Sequence, residues 1–434
     1  MMMNSDYTQS SGLKLNLEPG KGAGPFTIGS DVRDVLRTLS TMPWNEAIRQ
    51  TTIKYDLGVK RDSDILLDLT DNGVLLRFSH TDQKLKAIEI YAFRNLQLSF
   101  CGVSFSGASP QPQMFDSISF RDAYSGSRPQ VPTFAEIYGL FRPTYPGKYV
   151  FSGNQITYTL KYPGIIFVFA IPETWRELAQ ALERRRDHPI EFPDKSSPQV
   201  VRICVSQPLD EDGKVIATTP SAGDLMDSMN SSTDEGTKKR EVRKQNVVVK
   251  LLDGLYFDDG SSIRFGDSVQ DVLQTLGEPD DKFVKQTGRM KNQTRSSQSS
   301  SSGTVPPDVF YNYFGSGIDI LIDGKTFTVK KFVLHANFPH HKDFGRYSKS
   351  IWTSEICPLG VEGAAGRKIS VDSSWPEVQA AFAPCETSGE PLVNSASSAE
   401  SPFGTTFYHA YDQYCAIFEV TGNDIIASLT FFSR

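Results

Sequence analysis

Three imidazoles in one short stretch are the first candidates for chemistry in this sequence. His335, His340 and His341 lie within Leu334-His335-Ala336-Asn337-Phe338-Pro339-His340-His341-Lys342-Asp343-Phe344. Three histidines can hold a metal ion, but no thiolate is near and the spacing matches no standard zinc pattern, so a loop or partner contact is the stronger reading. The five cysteines, Cys101, Cys204, Cys357, Cys385 and Cys415, are odd in number, scattered and unpaired by motif, which suits a reducing compartment. Cys101 and Cys415 sit in strand patterns and read as core thiols rather than nucleophiles. Carboxylates are plentiful, yet no spacing singles out an acid/base pair. Nucleophile elbow, zincin helix, Walker loop and kinase signature are all absent. The expectation is a protein that is not an enzyme, with no cofactor and no metal. A tight, polar-lined pocket with perturbed carboxylates would revive an enzymatic reading, because a site can lack any short motif.

Two basic clusters are candidates for anionic lipid. One is Lys238, Lys239, Arg240, Arg243 and Lys244; acidic residues interrupt and flank it, so it also reads as a solvated linker. The other is Arg184–Arg186, at the end of an amphipathic helix expected over Glu173–Arg186, where arginines favour the helix dipole. Such helices more often pack onto a sheet. The net charge of −6 gives no global field to draw nucleic acid or anionic lipid.

The elements that must position these residues are announced by a phrase that occurs twice. Phe26 to Leu39 (FTIGSDVRDVLRTL) returns as Ile263 to Leu276 (IRFGDSVQDVLQTL) without a gap, which points to a duplicated unit. Phe26 and Ile28, like Ile263 and Phe265, alternate with polar neighbours as a short strand does. Gly29 and Gly266 allow a turn at positive φ. Ser30-Asp31 and Asp267-Ser268 offer caps to a new helix. Val32, Val35, Leu36 and Leu39, and likewise Val269, Val272, Leu273 and Leu276, share one helical face. A glycine before a helix can cradle phosphate, but neither the P-loop nor the dinucleotide pattern is present.

Each helix is followed by strands. Ile65–Leu69, the turn Asn72-Gly73, Val74–Phe78 and Leu85–Tyr91 make one series. Phe310–Phe314, Ile318–Ile322 and Val329–Leu334 make the other. The unit is a turn, a helix and a three-stranded meander. Weaker copies start at Phe134, Ile137, Tyr138, Phe141 and at Trp375, Val378, Phe382. The first is followed by strands at Gln155–Leu160 and Gly164–Ile171, the second by strands at Phe403–Tyr408, Cys415–Val420 and Ile425–Phe432. The fold class is therefore α+β, with repeated helix-plus-antiparallel-meander units, two clear and up to four, in two pseudo-symmetric halves. The halves are residues 1–206 and 247–434, joined by a polar linker at 207–246, with a serine-rich insertion at 286–303. Residues 1–12 lack the apolar core of a signal peptide. No stretch reaches the length of a transmembrane helix, so a cytoplasmic protein is expected.

Several segments resemble the phagophore assembly factor family. They are Phe26–Leu39, Asp64–Phe78, Leu85–Tyr91 and Leu98–Phe105, then Tyr311–Pro339 and Asn394–Phe432 with Ser401–Phe407. The most specific blocks are Gly317–Leu321 and Val329–His335. The resemblance implies a non-enzymatic regulator of autophagy, an adaptor that pairs with a large phosphoinositide-binding β-propeller protein and gathers with it at the site of autophagosome formation. That partner would supply most of the lipid affinity. The family offers no catalytic or ligand residues to carry over. The serine-rich insertion, the linker and the helical insertion around Trp175 depart from its pattern. For a contact surface, Lys330, Lys331, His335, Phe338, His341 and Arg346 are the candidates, because aromatic and positive groups, if exposed, resemble interface anchors. An ordinary strand and loop is the rival reading of that segment. The rival function is vesicle trafficking at Golgi or endosomal membranes, through direct binding to anionic phosphoinositides.

Overall fold

Leu13, Leu15 and Leu17 alternate with Lys14, Asn16 and Glu18, and they build a strand with one buried and one exposed face, β1 (Leu13–Glu18). The computed structural model describes residues 12–55, 63–106, 131–185, 197–208, 246–285, 306–357, 366–394 and 405–434, apart from Met42, Arg49, Arg94, Pro143 and Tyr145. The chain divides into two units, Met1–Gly236 and Thr237–Arg434.

In the first unit β1 is followed by β2 (Gly22–Ala23), β3 (Phe26–Thr27), α1 (Val32–Leu39) and α2 (Trp44–Ala47). A meander of β4 (Thr52–Lys54), β5 (Ile65–Leu69), β6 (Val74–Phe78) and β7 (Leu85–Ile90) comes next, then β8 (Leu96–Phe100) and β9 (Val103–Ser104). After these come α3 (Phe134–Phe141), β10 (Lys148–Ser152), β11 (Gln155–Tyr162), β12 (Ile165–Ile171), α4 (Arg176–Arg185) and β13 (Val200–Ser206). A five-stranded sheet runs β3-β2-β1-β8-β9, with β1 and β8 parallel. An antiparallel eight-stranded sheet runs β4-β5-β6-β7-β13-β12-β11-β10.

The second unit opens with β14 (Val247–Lys250), β15 (Gly254–Phe257), β16 (Ser262–Arg264) and α5 (Val269–Leu276). Then come β17 (Asp281–Val284), β18 (Val309–Tyr313), β19 (Ile318–Ile322) and β20 (Val329–His335). β21 (Trp352–Ile356), β22 (Arg367–Ser370) and α6 (Trp375–Phe382) lead to β23 (Leu392–Asn394), β24 (Thr406–Tyr411), β25 (Ala416–Thr421) and β26 (Ile426–Phe432). Its sheets run β16-β15-β14-β21-β22, with β14 and β21 parallel, and β17-β18-β19-β20-β26-β25-β24-β23. Val272 of α5 and Val378, Ala381 and Phe382 of α6 are buried with the inward side chains of both sheets in one core.

Two local features recur. The residue capping each of α1, α3, α5 and α6 bridges the residue just before the last strand of the meander that follows: Asp31–Lys84, Thr133–Gln199, Ser268–Thr328 and Ser374–Ile425. That last strand then bulges at its second residue, which is Lys86, Val201, Lys330 or Ala427. Ser268 and Ser374 close capping boxes with Asp271 and Glu377, whereas Asp31 makes no side-chain cap bond.

The structure revises the sequence reading in several places. Each meander has four strands, not three, because β4 and β17 open the series. All four β17 side chains are exposed, so no alternation marks the strand. The stretch expected as one helix over Glu173–Arg186 begins as a 3-10 turn, Glu173–Trp175, before α4. Cys101 is exposed at φ 49° in the turn between β8 and β9, so it is not a core thiol; Cys415 is buried as expected. Residues 209–245 of the expected linker and the serine-rich insertion lie outside the described residues.

The Asn72-Gly73 turn is where the sequence placed it, and it needs glycine. Gly73 has φ +68°, and a Cβ there would meet the Ala92 Cβ at 2.4 Å. Gly73→Ala is expected to cost about 1–3 kcal/mol, the range for a side chain held in a sparsely populated backbone region. A urea titration with an unchanged midpoint would contradict this.

Candidate functional site

β20 sets out the candidate residues by simple alternation. Phe332 and Leu334 enter the core, so Lys331, Val333 and His335 occupy the outer face of the eight-stranded sheet. Residues 336–350 leave β20 and fold back over the His335 end. Two buried carboxylates hold this loop down. Asp319 accepts from Asn312 Nδ2 (2.7 Å) and Tyr347 Oη (2.9 Å), and lies 2.9 Å from His335 Nε2. The His335 and Tyr347 rings stack at 3.8 Å, and the Arg346 guanidinium covers Phe314 and Tyr347 at 5.2 and 5.6 Å. Glu419 accepts from Thr406 Oγ1 (2.8 Å) and Ser428 Oγ (2.9 Å), and lies 3.3 Å from His341 Nε2.

These surroundings set the charges. Burial pushes the Glu419 carboxyl up, but the His341 imidazole and the Thr406 and Ser428 hydroxyls outweigh it and hold the group down at about 2. Burial, then the neighbouring Asp319 charge, raises the Tyr347 phenol, which therefore keeps its proton. Both carboxylates are spent on donors within the unit, and this half of the face works as a clasp for the loop.

The expected contact residues therefore separate. Phe338 and His341, at 6% and 8% exposure, are buried and cannot be surface anchors. The expectation of exposure fails at these two because they are the hydrophobic and polar pins of the clasp. His335 is mostly covered. Arg346 is exposed, and Lys330, the bulge residue, is tied to Asp308 (3.4 Å) and Asp323 (3.1 Å). Lys331 is half-buried and points outward. Lys238, Lys239, Arg240, Arg243 and Lys244 lie outside the described residues.

Away from the clasp, the same outer face turns apolar. Register aligns Phe283, Phe310, Leu321, Lys331 and Phe432 in one row across β17, β18, β19, β20 and β26. Opposed residues of antiparallel strands share a face, and the Lys331 amino group lies 5.8 Å over the Phe432 ring. The next row brings Val333, Thr430 and Ile417 beside them. Sequence reasoning missed these residues apart from Lys331.

In the first unit, the equivalent row reads Lys54, Leu66, Arg77, Ala87 and Ser206. There the face is a charged lattice: Arg77 to Glu89 (2.7 Å) and Asp64 (3.5 Å), Lys86 to Asp64 (2.7 Å), Lys54 to Asp68 (2.7 Å). Burial, then the Glu89 charge, pushes the Cys204 thiol in its midst up to about 11. Laying the two halves of the sequence side by side would have shown Arg77 and Glu89 replaced by Leu321 and Val333.

The glycine before α5 lines a shallow groove of about 380 Å³ with Phe265, Asp323, Thr326 and Lys330. A phosphate there would face the Asp323 carboxylate, which backbone amides and Lys330 hold well below the usual range. The groove is not built for an anion. Among the described residues no group of three His, Cys, Asp or Glu side chains could hold a metal ion, and no helix is long and apolar enough to cross a membrane.

Comparison with known proteins adds a relationship. The family described as phagosome assembly factor 1 matches residues 22–432. A PHAF1 protein of Arabidopsis thaliana is 31% identical over 422 residues, covering 96% of this chain and 92% of its own length. PHAF1 proteins of Drosophila melanogaster and Caenorhabditis elegans are each 26% identical, over 421 and 430 residues, covering 89% and 94% of this chain and 86% and 90% of theirs. No solved structure matches.

Proposed function

The chain belongs to the phagosome assembly factor 1 family, and on that premise we propose that it is a non-enzymatic adaptor in autophagy that binds a β-propeller protein. In this reading the pair assembles in the cytoplasm and is recruited to the forming autophagosome, with the partner supplying most of the membrane affinity. The family match over residues 22–432 carries the proposal. The absence of catalytic motifs from the sequence and the net charge of −6 agree with it.

The same reading treats the chain as two pseudo-symmetric halves, 1–206 and 247–434, each of two copies of one helix-and-meander module. The common strand orders, the four capping bridges and the four bulges support it. An adaptor built this way offers similar frames whose outer faces are free to diverge.

Affinity purification of the tagged chain from fed and starved cells tests the adaptor. A β-propeller protein should be the dominant, near-stoichiometric partner. Recovery of coat or tethering proteins, or of nothing above background, would refute it. Direct binding of the purified chain to phosphoinositide vesicles would favour the trafficking alternative.

A further inference from the structure

The outer faces of the two eight-stranded sheets have the same framework and opposite chemistry. In the first unit, Arg77, Glu89, Asp64 and Lys86 hold one another in ion pairs, as a solvated face does. In the second, Leu321 and Val333 stand at the Arg77 and Glu89 positions, with Phe310, Phe432 and Phe283 around them. Phe283 is 58% exposed, and Phe310, Val333, Ile417, Thr430 and Phe432 are all partly exposed. Leu321 itself is buried, at 2% exposure, and the partly exposed aromatic and aliphatic side chains on either side of it mark an interaction surface rather than scattered surface residues. The row crosses five strands, which at about 4.8 Å per strand extends roughly 19 Å.

Next to Leu321 the row carries a cation. Among the described residues Lys331 has no ion-pair partner. Burial, then repulsion from Lys285 and Lys330, makes its charge costly, and the attraction of Asp308 offsets only part of this. An incoming carboxylate would relieve that cost.

We propose that this row is a docking surface for a protein segment that lays apolar side chains on Phe310, Val333 and Phe432 and sets an Asp or Glu against Lys331. The proposal rests on the adaptor reading for the existence of a protein partner, and adds where and how it binds. A second copy of the chain is disfavoured. A two-fold axis at Lys331, or one running along the row, would bring Lys331 onto its own mate, and an isologous interface must be self-complementary. An anionic membrane is disfavoured because stable surface attraction takes a cluster of free basic residues, and Lys330 is already bound by Asp308 and Asp323.

The test uses the full-length tagged chain as bait and the protein recovered with wild type as the readout. Lys331→Glu and Phe432→Glu should each reduce its recovery at least tenfold, the loss expected at an interface hot spot. Lys331→Arg, and Leu252→Glu in the turn between β14 and β15, should leave it unchanged. Unaltered circular dichroism and urea midpoints would show that the variants fold. If wild type recovers its partner and both glutamate variants retain it, the docking surface is overturned while the adaptor stands. If wild type recovers none, both readings fall. Binding of wild type to phosphatidylserine vesicles, or a wild-type dimer in sedimentation, that is lost in both glutamate variants would overturn the proposal by assigning the row to a membrane or a second copy.

Discussion

Phe382→Ala should cost the second unit about 3–5 kcal/mol, the range for deleting a fully buried aromatic ring. Phe382 is 1% exposed. Its ring stacks on Tyr411 at 4.0 Å and meets Tyr414 and Phe418 edge-on at 4.9 and 5.7 Å. It closes α6 onto the eight-stranded sheet, so its loss leaves a cavity lined by rigid rings that cannot collapse. In a urea titration followed by tryptophan fluorescence the midpoint should fall by roughly 1–5 M, given slopes of about 1–3 kcal/mol per molar. Phe382→Leu, which keeps more of the volume, should fall less. A change below about 1 kcal/mol for the alanine variant would mean that the ring does not hold α6 down.

Glu419→Ala should be comparably severe, about 3–5 kcal/mol, the cost of removing one partner of a buried charge pair. It strips the acceptor from His341, Thr406 and Ser428 together. The pH dependence identifies the cause. The folded carboxyl titrates at about 2, below its ordinary value of 4.5. A group held down in the folded state stabilises fully above its unfolded value, and that stabilisation is lost as pH falls toward the folded value. The stability gap between wild type and Glu419→Gln should shrink progressively as pH falls from 4.5 toward 2. A gap independent of pH over that window would show that the ionised carboxylate is not what holds the loop. Asp319 would then be the buried carboxylate that holds the loop.

Much of this architecture is legible along the chain, for reasons that differ by element. The helices at Val32, Phe134, Val269 and Trp375 carry apolar side chains at helical spacing, and strands such as β1 and β11 alternate apolar and polar residues. β17 carries neither, since an outermost strand with both faces exposed imposes no pattern on its side chains. The parallel pairing of β1 with β8 is invisible because partner choice between distant strands leaves no local mark. The candidate surface was half legible. Lys331 drew notice by charge and aromatic company, but Phe283, Phe310 and Phe432 come from three other strands and meet it only through register. Phe338 and His341 misled for the opposite reason. Their residue types suit an interface, and the same types serve to pin a loop over buried carboxylates.

The parallel pairing also sets an order of events during synthesis. Asn16 must wait for Ser99, 83 residues later, and Val249 for Ser354, 105 residues later. The meanders between them close by short hairpins, and local contacts form sooner than distant ones. As the chain leaves the ribosome, each small sheet therefore closes after the meander enclosed between its two parallel strands. Until then β14 offers an unpaired edge with Val247 and Val249 bare, the kind of strand that recruits unintended partners. A nascent chain stalled before β8 or β21 would expose a sticky strand to chaperones or to degradation.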